Sequence, residues 1–362
     1  MAKFEGLKWS SKQMRYGLAD KSYELLGSDA KIAACSRSTN YAIFLAFEGI
    51  RYFCRKTSSG ALEVVFLNWD KNLERFRRSM LFNIGKDSAH LVPTADDLED
   101  ILADRFFREP EMRGLFEEMA AMGAQGYLRP FTVDEEQSIG VTFPNQPAIR
   151  ALASRYDRYL GEPFAGVVIP HLVRAVGVNG TGCLKLGVNY VMSVKACEAA
   201  KLTEPTAAAA LFLDDQTHLP IEERYITEWD SSCCLFAFRD GTVVKIPESP
   251  LILPSVTIQG ICKILTRLGV RVEERHLSYG ELVRRVKSKE LVTVCSIGTA
   301  GILNRCAKLL LVDGDRKVIG THVPDEKHAL YAKLAEARTY YWDIYRGKVP
   351  PLEGMKLFKY VL

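Results

Sequence analysis

Lys185 lies between Leu184 and Leu186 in the run Gly180-Thr-Gly-Cys-Leu-Lys185-Leu-Gly-Val-Asn-Tyr190. An amine in apolar surroundings gives up its charge more readily and becomes a better nucleophile toward aldehydes. The plainer alternative is a strand-end lysine whose head reaches water past an apolar stem. Two other stretches offer backbone N–H groups to an anion. Ser255-Val256-Thr257 opens an amphipathic run, and a helix N-terminus carries unpaired amides at the positive end of its dipole. Ser255 or Thr257 would equally serve as the N-cap. Gly298-Thr299-Ala300, after a strand-like run, is a second amide-rich turn. Glu228 precedes Trp229 and the apolar Cys233–Phe238 stretch. It is either a solvated strand end or a buried acid that needs a cationic partner.

A lysine, two anion-binding turns and an isolated acid are the components of a site for pyridoxal 5'-phosphate. That cofactor requires a lysine for its aldehyde, a cradle for its phosphate and a carboxylate on its pyridinium nitrogen. A nucleotide-binding loop does not fit, because Lys185 stands where a Gly-x-Gly-x-x-Gly run from Gly180 needs its third glycine. No metal site is expected: the six histidines are scattered, and neither Cys-x-x-Cys nor His-Glu-x-x-His occurs.

These residues must be positioned by a chain of 362 residues, long enough for two domains. Its 48 basic and 44 acidic residues leave a net charge of +4, too mild to imply a nucleic-acid partner. No signal peptide or membrane-spanning run is visible, so a cytoplasmic protein without a membrane partner is expected. Nine cysteines, mostly in apolar segments, fit free thiols.

Residues 1–35 assign to no element. The stretch from Tyr41 reads as a buried helix end turning into a strand at Gly49. A strand is expected at Ala61–Leu67 and a helix at Asn72–Phe82, with Leu73, Phe76 and Met80 on one face. Thr94 reads as an N-cap, and Tyr127–Val133 as a strand that Pro130 places at an edge or near an end. Pro144-Asn-Gln-Pro and Leu160-Gly-Glu-Pro bracket a looser region. The expected division is a smaller N-terminal α/β domain over 1–152, an interdomain loop over 153–168, and a larger C-terminal domain over 169–362 carrying Lys185. In that second part, a helix follows Lys185, and Ala208–Leu213 is a strand. Asp240-Gly241 joins a hairpin because both positions tolerate positive φ. Ile258–Leu268 is a helix closed by Gly269, Leu291–Ser296 a strand, and Lys327–Tyr345 a helix running into a loop at Val349-Pro-Pro.

The pieces and their order resemble the branched-chain amino-acid aminotransferases, fold-type IV pyridoxal-phosphate enzymes, from about Ala42 to Leu310. The resemblance rests on Phe47-Glu-Gly-Ile-Arg51, Asn72-Leu-Glu-Arg75-Phe, Tyr127-Leu-Arg129-Pro, Lys185-Leu-Gly-Val-Asn-Tyr190, Ile226-Thr-Glu228, Ile252-Leu-Pro-Ser-Val-Thr257 and Gly298-Thr-Ala300. Each motif is weak alone; seven in the family's order are specific.

The resemblance implies a two-domain α/β and α+β architecture with the cofactor between the domains, completed in a homodimer. It implies that Lys185 holds pyridoxal 5'-phosphate and shuttles a proton between the substrate Cα and the cofactor. Tyr190 would hydrogen-bond the cofactor's phenolic oxygen, and Glu228 would keep its ring nitrogen protonated. Arg75, Val256, Thr257 and Thr299 would hold the phosphate. Thr299 and Ala300 would take the substrate α-carboxylate, with Tyr127, Arg129 and Tyr159 lining a pocket that accepts both apolar side chains and glutamate. Ala42 stands where the family has a pocket tyrosine, Ser255 where it has glycine, Val188 where it has a second glycine, and Cys234 where it has asparagine. None of these departures removes a cofactor ligand; all bear on side-chain preference. The implied activity is a ping-pong transamination between an L-amino acid, branched-chain or related, and a 2-oxo acid such as 2-oxoglutarate. Alternatives within the fold are a D-amino-acid transaminase and an aminodeoxychorismate-type lyase; outside catalysis, a relative kept as a binding subunit.

Overall fold

The computed structural model describes residues 4–159, 163–174 and 180–362. The chain packs into two units. The first is Phe4–Tyr159 with Leu184–Val188 and Tyr345–Leu362; the second comprises the described residues of 160–183 and Asn189–Ile344.

The first unit is built on a seven-stranded sheet in the order Leu357–Val361, Leu62–Leu67, Ile50–Lys56, Gln125–Asp134, Pro147–Tyr156, Lys8–Gly17, Tyr23–Gly27. Every described pairing in it is antiparallel, so this unit is α+β rather than the expected α/β. All six residues of Leu62–Leu67 are buried; five are apolar, and Glu63 pairs with Arg55 Nε at 2.7 Å. The helix Trp69–Asn83 follows directly and stacks Trp69 on Phe66, ring centroids 4.3 Å apart. Phe107 and Phe116 close the same aromatic core around Tyr52.

The second unit carries nine strands in the order Ile226–Trp229, Ala207–Leu213, Phe164–Val173, Ile302–Val312, Leu291–Gly298, Cys233–Phe238, Thr242–Lys245, Arg271–Glu274, with Val318–His322 beside Ile302–Val312. Phe164–Val173 runs parallel to both its neighbours, and most other pairs are antiparallel. The helix Tyr190–Thr203 lays Ala196 and Ala200, one turn apart, against Val167, Ile169, Phe212 and Leu310.

Several expectations are corrected. The segment expected as an interdomain loop, 153–168, is largely strand: Pro147–Tyr156 ends in it, Arg158–Tyr159 lies in it and Phe164–Val173 begins in it, while residues 160–162 lie outside the described ones. Lys185 packs with the first unit, not with the C-terminal part of the chain, because Leu184–Val188 pairs with the 45–47 segment. The helix before Gly49 is only Arg37–Tyr41, and residues 42–49 form an irregular segment bridged to Leu186 and Phe131. Pro130 sits in the middle of an inner ten-residue strand. It is tolerated because its neighbour Ile50–Lys56 has already ended: only the Pro130 carbonyl is needed there, to accept the Glu48 N–H at 2.9 Å. The unassigned amino terminus forms three strands, Phe4–Glu5, Lys8–Gly17 and Tyr23–Gly27. A further strand, Leu357–Val361, follows the expected loop at the carboxyl end.

Candidate active site

In the first unit, Arg75 projects from the helix Trp69–Asn83 onto Glu48. Its Nε donates to Glu48 Oε2 at 2.7 Å and its Nη2 to Oε1 at 2.6 Å, a bidentate pair. Both groups are buried, Glu48 completely. Burial pushes the Glu48 carboxyl up; the charge and hydrogen bonds of Arg75, the Lys185 ammonium and the Gly49 N–H outweigh it, leaving the acid below its usual value. Lys185 therefore shares the electrostatic surroundings of the Arg75–Glu48 pair.

The Lys185 Nζ lies 5.0 Å from the Phe47 ring centroid, and the Arg129 guanidinium lies 4.5 Å from the same ring. Arg129 also donates to the Tyr127 hydroxyl at 2.9 Å. That tyrosine requires Gly49: a Cβ there would fall 1.9 Å from its oxygen. Phe47, Tyr127, Arg129 and Lys185 thus form one cluster of rings and cations. Tyr159 joins it indirectly, its ring 4.9 Å from that of Phe4, which also meets Tyr127. Ala42 caps the helix Arg37–Tyr41 with a left-handed φ of 55°, at the start of the segment leading to Phe47.

In the second unit, Glu228 is buried at the end of Ile226–Trp229. Its Oε1 accepts from the Leu253 N–H at 3.0 Å and pairs with Arg174 Nη1 at 2.9 Å. Burial lowers the Arg174 pKa, but the charge of Glu228 outweighs it and the net shift is upward. The Arg174 guanidinium also lies 5.9 Å from the Tyr190 ring, so one arginine links Glu228 and Tyr190. Trp229 anchors the strand end by donating to the Cys295 carbonyl at 3.1 Å, and its ring fits only because residue 166 is glycine.

The Leu253 bond ties Glu228 to the turn before the helix Val256–Arg267. Ser255 is that helix's N-cap, its hydroxyl accepting the Ile258 N–H at 3.3 Å. Val256 and Thr257 are the first residues of its opening turn. Thr299 and Ala300 form the tip of the hairpin between Leu291–Gly298 and Ile302–Val312. Cys233 pairs with Ile297, and Gly298 packs against Ser232, so this tip stands beside the turn that follows Glu228.

Arg75, Lys185, Tyr127, Arg129, Tyr159 and Ala42 therefore fall in the first unit; Tyr190, Glu228, Val256, Thr257, Thr299 and Ala300 fall in the second. Sequence reasoning missed two partners. Glu48 was visible only as a member of the Phe47–Arg51 run. Arg174, the charge that closes an apolar strand, is the cationic partner a buried Glu228 demands.

The chain thus has two units of mixed α and β structure, each holding part of the expected set of site residues. The family model for amino-transferase class IV matches residues 45–292, and the chain belongs to that family. A probable branched-chain-amino-acid aminotransferase of Staphylococcus aureus (strain N315) is 28% identical over 292 residues, covering 79% of this chain and 74% of that one. Among solved structures, the branched-chain aminotransferase of Thermoproteus uzoniensis with norvaline is 18% identical with a TM-score of 0.66, covering 96% of this chain and 99% of that one. The branched-chain amino acid aminotransferase of Thermobaculum terrenum in its PLP form is 16% identical with a TM-score of 0.67, covering 94% and 95%. The fold-type IV expectation agrees with these findings. No helix among the described residues is long and apolar enough to cross a membrane.

Proposed function

We propose that this chain is a pyridoxal-phosphate-dependent transaminase that exchanges an amino group between an L-amino acid, branched-chain or related, and a 2-oxo acid such as 2-oxoglutarate. The observation that carries the reading is the placing of Lys185: its Nζ lies 5.0 Å from the Phe47 ring, and its main chain is bonded to the segment 45–47 that leads to the buried Glu48–Arg75 pair. The residues fit the cofactor's chemistry: an amine, an arginine, the opening turn of a helix, and a buried carboxylate that already carries its own arginine. When bound, pyridoxal 5'-phosphate supplies an aldehyde and an electron-withdrawing ring.

Lys185 Nζ would hold the cofactor through its aldehyde carbon, and the same amine would carry the proton to and from the substrate Cα. Glu228, held in place by Arg174, would keep a proton on the ring nitrogen. Tyr190 would donate to the phenolic oxygen. Arg75, the amides of Val256 and Thr257, and Thr299 would bind phosphate, while Thr299 and Ala300 would receive the α-carboxylate. Tyr127, Arg129 and Tyr159 shape the side-chain pocket, with Ala42 enlarging it.

The working form is a homodimer in the cytoplasm. Ile139, Val141 and Phe143 are 83%, 74% and 61% exposed on one loop, an apolar cluster suited to a second copy. That loop is held from beneath by Arg37, which pairs with Asp134 at 2.8 Å and donates to the Gly140 carbonyl at 2.8 Å. All nine cysteines are free, as a reducing compartment allows.

The test is borohydride trapping of pyridoxal phosphate followed by a donor-by-acceptor screen. The label should sit on Lys185, and Lys185→Ala should abolish both trapping and transamination. A Lys185→Ala chain that still turned over would overturn the mechanism.

A further inference from the structure

Around Lys185 the main chain is bonded on both sides. Its carbonyl accepts from the Phe47 N–H at 3.0 Å, and the Gly187 N–H donates to Leu45 at 3.0 Å. Its own N–H, by contrast, donates to a side chain, Ser79 Oγ, at 3.0 Å. Ser79 is fully buried on the helix Trp69–Asn83, one turn beyond Arg75, and its hydroxyl donates to the Arg75 carbonyl at 3.1 Å. A serine hydroxyl has one proton and two lone pairs, so both bonds coexist.

We infer that Ser79 is a positioning residue: it fastens the main chain of Lys185 to the helix that carries Arg75, so that the amine and the guanidinium share one rigid frame. The inference rests on the reading of Lys185 as the residue that holds the cofactor. A serine bonding back to the carbonyl four residues earlier is ordinary in helices and slightly unfavourable there. Alanine would make the better helix. The second bond, to a residue far along the chain, gives the hydroxyl a purpose that the helix alone does not. Leu184 and Leu186 are 6% and 3% exposed, so water is poorly placed to replace a lost acceptor.

Ser79→Ala removes the acceptor and keeps the packing. In the cofactor-free chain, amide exchange across Leu184–Leu186 should quicken by about tenfold or more as that segment opens locally. Borohydride trapping of pyridoxal phosphate at Lys185 should slow by about 10- to 100-fold, the scale of a misplaced reacting group. kcat should fall with it while KM for the amino acid stays near the wild-type value. Ser79→Thr keeps the hydroxyl and should restore all three. Where Ser79→Ala does not fold, Ser79→Cys carries the same comparison, since its thiol is a poor acceptor of similar shape.

Wild-type exchange and trapping rates in a folded Ser79→Ala or Ser79→Cys chain overturn the inference. So does a stability loss that Ser79→Thr repairs without repairing trapping. Failure of the wild-type chain to trap at Lys185 overturns the cofactor reading instead, and the exchange comparison in the unliganded chain still decides whether Ser79 fastens Lys185.

Discussion

At the scale of single residues, charge placed out of water controls this molecule. Glu48 and Arg75 form a buried pair, and removing one partner strands the other. Glu48→Ala should therefore cost about 3–5 kcal/mol of stability, read as a lowered urea midpoint. The pH dependence has a definite sign. The Glu48 carboxyl is depressed in the folded state, so its contribution is present above the unfolded value and lost as pH falls through the folded one. Wild-type and Glu48→Gln unfolding curves should converge in acid and diverge toward neutrality. Curves that stay parallel from neutral to acid pH would show that Glu48 is not held ionised. Which carboxylates would be paired was only half legible in the residues. Glu228 stood out because apolar neighbours isolate it, but Arg174 could not be matched to it until the strands Phe164–Val173 and Ile226–Trp229 were placed on either side of Ala207–Leu213.

At the scale of elements, local chemistry marks most boundaries. Thr94 caps its helix in a full capping box with Asp97, Ser255 caps Val256–Arg267, and the hairpin forms around Asp240-Gly241. The strands missed include a local hairpin, Lys8–Gly17 with Tyr23–Gly27, and one whose partner is remote in sequence. Leu357–Val361 adds to the edge of Leu62–Leu67, with Tyr360 and Phe358 meeting Trp69 at 5.7 and 6.4 Å and the Lys356 main chain bonded to Asn68. The carboxyl strand therefore braces the start of the Arg75 helix. Truncation after Met355 should lower the melting temperature by about 4–8 °C, equivalent to about 3–6 kcal/mol in a chain of this size. Unchanged melting would show that the strand is a passive cover. The strand Val318–His322 holds a second pH-sensitive group. Burial pushes the His322 imidazole down to about 4, helped by Arg239 and opposed by the Val292 carbonyl. A depressed folded pKa means stability is complete above the ordinary histidine value and declines as pH falls toward 4. The loss amounts to about 3 kcal/mol. Thermal scans from pH 7 to 4 should show that decline, and His322→Gln should flatten it.

At the scale of the whole molecule, the proposed homodimer turns on the Ile139–Phe143 loop. Val141→Asp should shift light-scattering mass toward the monomer, whereas a wild-type mass would direct the interface elsewhere. The sequence by itself determined the family, through seven short motifs whose order resembles it, and permitted rather than forced the chemistry. A lysine after a glycine-broken run, an arginine on an amphipathic helix, an acid before a tryptophan and two amide turns are local patterns, set by residue type and spacing over a few positions. Tertiary structure alone decided which charges meet and which unit each residue serves. Lys185 joins the first unit because Leu184–Val188 pairs with a segment far behind it in the chain. Glu48 meets Arg75, Arg174 meets Glu228, and the carboxyl tail returns to the sheet near the amino terminus. The physical reason is one of range: caps, turns and periodicity are governed by neighbours, whereas a buried pair depends on closing long loops whose ends no local signal identifies.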